Sequence, residues 1–221
     1  MKDWVIAWLT RTRELITDNR ELLNELDREI GDGDHGEGLD HAFSLIKLDG
    51  DYASGADALR QVALGLRMNL PGAGGEILAG SYQRMADVLA LADDMLADDY
   101  PDVVPVSSIG EGAASIVAAM IEAGRDAAQD LGQAAEGDKT FVDAWAPAAR
   151  EARASADDGG SVADVLAAAS EAAREGCEAT VNMVANKGRA AFLGKKSAGH
   201  MDPGAKSVSL IIEAAAGAAR H

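Results

Sequence analysis

Residues 19–38 read NRELLNELDREIGDGDHGEG, and the change of character at Gly31 decides the fold. Before it, Leu22, Leu23, Leu26 and Ile30 recur at three- and four-residue spacing, which turns one face of an α-helix inward. Asn19 stands where an N-cap belongs. From Gly31 on, four glycines in eight residues stop the helix, because glycine carries the largest entropic cost of ordering.

The same period extends outward in both directions. Trp4, Val5, Trp8, Leu9 and Leu15 predict a first helix. A third runs from about Leu39 to Leu48, and Ser54 caps a fourth ending near Asn69. NLPGAGG breaks the pattern. A long helix then buries Ile77, Leu78, Met85, Val88, Leu89 and Met95. DDYPDVVPVSS, with two prolines, is a linker to a helix from about Ile109 to Leu131. Thr140 caps the helix of Phe141, Val142, Trp145 and Ala149, and Ser161 opens one reaching about Gly188 or beyond. SVSLIIEAAAGAAR is the last. Eight or nine helices and no convincing strand make an all-α chain. No repeat of fixed period and no shift of composition divides it, so one domain spans 1–221. Its short loops imply antiparallel neighbours.

Composition agrees. The chain is 48% hydrophobic, with alanine the commonest of these residues and aromatics at 4%, which suits closely packed helices. A formal net charge of -17 excludes nucleic acid and anionic membrane surfaces as partners. One cysteine, Cys177, cannot form an internal disulfide, which fits a cytoplasmic protein. The N-terminal apolar stretch is too short for a signal peptide, and no stretch approaches a membrane span.

Three loops carry more glycine and polar residues than connections need: Gly31–Gly38, Pro71–Gly75 and Gly194–Gly204. In the first, Asp27, Asp32 and Asp34 put three carboxylates within eight residues. They repel one another unless a cation lies between them, and magnesium takes such oxygens together with substrate phosphates. Asp-Gly-Asp is also ordinary turn chemistry, and the segment alone does not choose. Other motifs fail. Gly31–Gly36 matches GxGxxG but follows a helix instead of a strand. An EF-hand begun at Asp32 would end on Phe43. Gly199–Ser207 imitates a P-loop with its lysine one residue late. The four histidines have no zinc spacing.

DREIGDGDHG resembles the metal-binding motif of the L subunit, the ADP-binding subunit, of dihydroxyacetone kinases that depend on the phosphotransferase system. EGDKTFVDAWAPA and KGRAAFLGKKSAGHMDPGAKS resemble two further signatures of that family, in its order and spacing. The resemblance covers essentially the whole chain. It implies a barrel of about eight antiparallel helices with the nucleotide at one end. It also implies a cytoplasmic monomer or dimer acting in glycerol metabolism. ADP or ATP would be held as a coenzyme and rephosphorylated in place by a phosphotransferase protein. The γ-phosphoryl group would pass to dihydroxyacetone on a separate K subunit.

Residue by residue, the resemblance makes Asp27, Asp32 and Asp34 ligands of two magnesium ions. It places nucleotide contacts on His35, Gly36, Glu37, Gly38, Gly74, Gly75, Gly132, Phe141, Arg189, Asp202, Pro203 and Gly204. Read without it, Phe141 is equally a core residue and Arg189 a surface charge. No side chain beyond the metal ligands is assigned to catalysis. The chain departs from the family at Gly38, where asparagine is usual, and at Gly74 and Gly75, where a small residue and a phosphate-binding serine are expected. Two lost hydrogen bonds to phosphate predict faster nucleotide exchange. They also keep open a homologue that binds nucleotide or a regulator without turnover, beside a kinase subunit for a related sugar such as erythrulose.

Overall fold

The computed structural model describes residues 1–99 and 110–220. Among these are nine α-helices and no strand: α1 (Lys2–Asp18), α2 (Arg20–Ile30), α3 (His35–Leu45), α4 (Gly55–Asn69), α5 (Ala73–Asp99), α6 (Gly110–Gly132), α7 (Val142–Asp157), α8 (Val162–Ala179) and α9 (Pro203–Ala218). From α2 onward each helix packs on the next, and α9 returns to α1, closing a ring. Two tryptophans make that closure. Trp8 Nε1 donates to the Ile211 carbonyl (2.8 Å) and Trp4 Nε1 to that of Ala215 (3.2 Å). Alanines such as Ala63, Ala118, Ala149, Ala169 and Ala214 fill the interior between larger residues, letting the helices approach closely.

Several expectations are corrected. Leu22 is exposed and Leu26 half-buried; α2 turns Leu23, Asn24, Asp27 and Ile30 inward. Its inner face is partly polar because it borders a cavity, so the apolar stripe points about one position away from the true interior. Asn19 separates α1 from α2, but its side chain donates back to the Leu15 carbonyl (2.8 Å) instead of capping forward. The third helix covers His35–Leu45, starting inside the glycine-rich run. Thr140 accepts from Val142 N (3.2 Å) just ahead of α7.

The last long helix ends at Ala179, not near Gly188. There the Thr180 carbonyl accepts from Lys139 Nζ (2.8 Å) and, in a tighter turn, from Met183 N (3.1 Å), so the chain leaves the α-helical path. Two short 3-10 stretches follow, Thr180–Asn182 and Arg189–Ser197. The final helix then starts four residues early, at Pro203, because Asp202 accepts from Ala205 N (2.8 Å) as its cap. The linker from residue 100 on, Ile109 and the side chain of Met95 lie outside the described residues. No helix among the described residues is long and apolar enough to cross a membrane.

Antiparallel alternation has one consequence for function. Helices α3, α5, α7 and α9 all begin at the same end of the ring, and α2 and α6 end there.

Candidate nucleotide and cation site

A cavity of about 730 Å³ opens at that end. Its wall includes the first residues of α3, α5, α7 and α9, the last turns of α2 and α6, and residues 187–190. Helix N-termini present unpaired amides and the positive end of the dipole, so four of them around one space favour an anion.

On one side sit the three aspartates, each offering an oxygen within 4.8 Å of the others. Asp27 is 6% exposed, while Asp32 and Asp34 are exposed. Asp27 Oδ2 accepts from the amides of Gly33 (2.9 Å), Asp34 (3.0 Å) and His35 (3.3 Å). Those bonds wrap the loop around the carboxylate, with Gly33 at φ +82°, a conformation side chains resist. Oδ2 is thereby spent on the fold, which leaves Oδ1. Hard oxygens converging from a buried anchor and two exposed residues suit magnesium. Arg189 ion-pairs with Asp32 across the mouth.

His35 opens α3 with Nε2 2.9 Å from Ser207 Oγ. Ser207 offers its own proton to the Pro203 and Gly204 carbonyls (3.0 Å each), so His35 donates from Nε2. Its ring lies 6.2 Å from that of Phe141. Burial lowers the His35 pKa against the pull of Asp27 and Asp34, favouring the neutral ring. Asp202 is 8% exposed, and burial pushes its pKa up to about 7.

Of the residues singled out from sequence, Asp27, Asp32, Asp34, His35, Gly74, Gly132, Phe141, Arg189, Asp202, Pro203 and Gly204 line this cavity. Gly36, Glu37, Gly38 and Gly75 do not. A Cβ on Gly36 would stand 2.1 Å from the Arg20 carbonyl oxygen, so that glycine serves helix contact. Glu37 N donates to Asn24 Oδ1 (3.0 Å) with its side chain exposed, and Gly38 faces Leu70. A Cβ on Gly75 would lie 1.8 Å from the Leu70 carbonyl oxygen, which leaves no room for a serine; on Gly74 it would meet only the Phe141 ring, at 3.5 Å. A serine therefore fits at Gly74.

Sequence reasoning passed over Lys139, Ser207, Asn24 and the cavity-lining Ile77, Leu131 and Gly188. Lys139 was legible only as part of a motif, and nothing local signals Ser207 as the partner of a histidine 172 residues away.

Fold and site together define a helical ring with four helix N-termini around a cavity at one end, beside a carboxylate cluster that could hold a cation. A family model described as the DAK2 domain matches residues 29–217, and the chain belongs to that family. It is 31% identical to the "PEP-dependent dihydroxyacetone kinase, ADP-binding subunit DhaL" of Escherichia coli (strain K12), over 98% of this chain and 97% of that one. To the "L-erythrulose 1-kinase" of Mycolicibacterium smegmatis it is 34% identical, over 95% of this chain and 34% of that longer protein. The dihydroxyacetone kinase of C. freundii, solved also with AMP-PNP and Mg2+, shares the fold: TM-score 0.66 for its native form, at 22% identity, over 96% of this chain and 34% of that one.

Proposed function

We propose that this chain, as one helical domain, is the nucleotide-holding subunit of a dihydroxyacetone kinase. In this reading it is active only with a separate dihydroxyacetone-binding K subunit, and a phosphotransferase-type protein rephosphorylates its ADP. The observation that carries the reading is the convergence of four helix N-termini and three aspartates on one cavity. Its volume falls within the range of small-molecule pockets. The E. coli relative, similar over nearly its whole length, is named as an ADP-binding subunit.

Asp27, Asp32 and Asp34 would hold magnesium, two ions in this reading. Bound there, magnesium would neutralise charge on the β- and γ-phosphates. Amides at the starts of α3, α5 and α9 would take phosphate oxygens, and Arg189 would exchange Asp32 for phosphate. Ile77, Leu131 and Phe141 would form an apolar wall for the base. Phosphoryl transfer needs positioning more than covalent help, so no general base is assigned within this chain. The protein would work in the cytoplasm, in glycerol metabolism. Because the sugar sits on the partner, similarity to an erythrulose kinase makes erythrulose the competing acceptor.

The test is to incubate the pure chain with ATP, magnesium and dihydroxyacetone, with and without a K subunit, and to assay the phosphate ester. Ester should form only with the partner present. Comparable turnover by the chain alone would refute the two-subunit reading, and turnover with erythrulose alone would reassign the acceptor.

A further inference from the structure

Between α8 and α9 the chain makes an irregular excursion, residues 180–202, that carries Arg189 and ends on Asp202. One buried cation sits at its centre. Lys139 is 1% exposed, and its ammonium donates to main-chain carbonyls of Thr180 (2.8 Å), Met183 (3.2 Å), Ser197 (2.7 Å) and His200. These acceptors come from both ends of the excursion, so the ammonium joins start to finish beside three direct ties: Gly199 N to the Val181 carbonyl (2.7 Å), Asp202 N to Thr180 Oγ1 (2.9 Å) and Ala185 N to Ser197 Oγ (2.8 Å).

Two features say that the cage is built around the charged amine. Four carbonyl oxygens face three N–H bonds. A neutral amine would turn a lone pair toward one of those oxygens, so the cage selects the cation. Lys139 also has φ +62°, a conformation glycine adopts without strain and lysine does not. The strained turn is clamped from below, since the buried Asp143 carboxylate accepts from Gly137 N (2.6 Å) and Thr140 N (2.7 Å). Burial lowers the Lys139 pKa against the pull of Asp202 and Asp143, so it is the four carbonyls that must hold the charge.

We infer that Lys139 is a positioning residue, a built-in monovalent cation whose carbonyl cage sets the segment bearing Arg189 and Asp202 against the cavity. The emptied cage of a Lys139→Ala chain would then take a free monovalent cation, ammonium or potassium. The bearing on nucleotide rests on the function proposed above; the cage itself does not.

The test uses the full chain with Lys139→Ala, and with Lys139→Met, which fills the space without charge. Each is measured in tetramethylammonium, potassium and ammonium chloride at equal ionic strength. Hydrogen exchange over residues 180–202 is read without nucleotide, and magnesium-ADP affinity by calorimetry. In tetramethylammonium, Lys139→Ala should exchange about tenfold or more faster over 180–202 than wild type, with α5 and α6 unchanged. Ammonium or potassium should restore protection in Lys139→Ala but not in Lys139→Met, and wild type should ignore the cation. A Lys139→Ala chain that unfolds in tetramethylammonium and refolds in ammonium supports the inference equally. Protection equal to wild type, or a defect no cation relieves, overturns it. If protection is rescued but wild type fails to bind ADP, the cage stands and the nucleotide reading falls.

Discussion

At Gly74 and Gly75 two adjacent glycines have opposite tolerances, and contact distance decides which. A Cβ on Gly75 collides with backbone, which cannot swing aside; one on Gly74 meets a ring edge at ordinary distance. Gly75→Ser should therefore cost about 1–3 kcal/mol of stability, read as a lowered Tm, as overpacked sites do. Gly74→Ser should fold normally and slow the release of a fluorescent ADP analogue. If Gly75→Ser melts like wild type, the close approach is wrong. Sequence could point to this loop as glycine-rich, but not to which glycine faces the cavity, because that depends on the carbonyl of Leu70.

Asp202 allows a pH prediction at the same scale. Burial raises its pKa to about 7, so between about pH 4 and 7 the folded chain binds a proton that the unfolded chain has lost. Its contribution to stability is fully present below the unfolded value and falls away as pH rises through 7. Asn caps a helix as well as Asp and carries no charge. Asp202→Asn should therefore gain on wild type by roughly 1–4 kcal/mol between pH 5 and pH 8 in metal-free buffer. Thermal melts at the two pH values check this; a gap that does not move contradicts the buried, proton-retaining carboxyl.

At the scale of elements, helix count and class were legible, because the 3.6-residue period of apolar positions survives in nearly every segment. What was hidden arises where a distant group overrides the local pattern. Helix α8 stops where Lys139 captures the Thr180 carbonyl, and α9 starts early where Asp202 caps it. Leu22 was misplaced because α2 turns Asp27 toward the cavity and Asn24 toward the Glu37 amide of α3, so its inner face is not its most apolar one. The seam of α2 and α3 supports the aspartates, and at Gly36 the two helices approach too closely for a side chain. Gly36→Ala should push α3 off the Arg20 carbonyl, costing about 1–3 kcal/mol and weakening magnesium-ADP binding. Gly38→Ala, whose Cβ would meet only the Leu70 side chain, should cost less than half as much in urea unfolding. Equal costs would show that the seam is not tight at Gly36.

For the whole molecule, antiparallel alternation from α3 to α9 makes every second helix of that run begin at the same end. Four positive helix ends thus gather in a protein of net charge -17, beside three carboxylates. The three glycine-rich loops marked that end in the sequence, and all three contribute to the cavity wall. Ser207 and the Lys139 cage were not legible, since their partners lie far off in the chain. In the function proposed above, the molecule holds a polyanion only with a cation between it and Asp27, Asp32 and Asp34. Calorimetric titration of the chain with ADP, in magnesium and again with a chelator, tests this most directly. The account predicts binding in magnesium, weakened at least about a hundredfold by the chelator and likewise by Asp32→Ala in a chain that keeps its helical spectrum. ADP bound equally well in both conditions would contradict it.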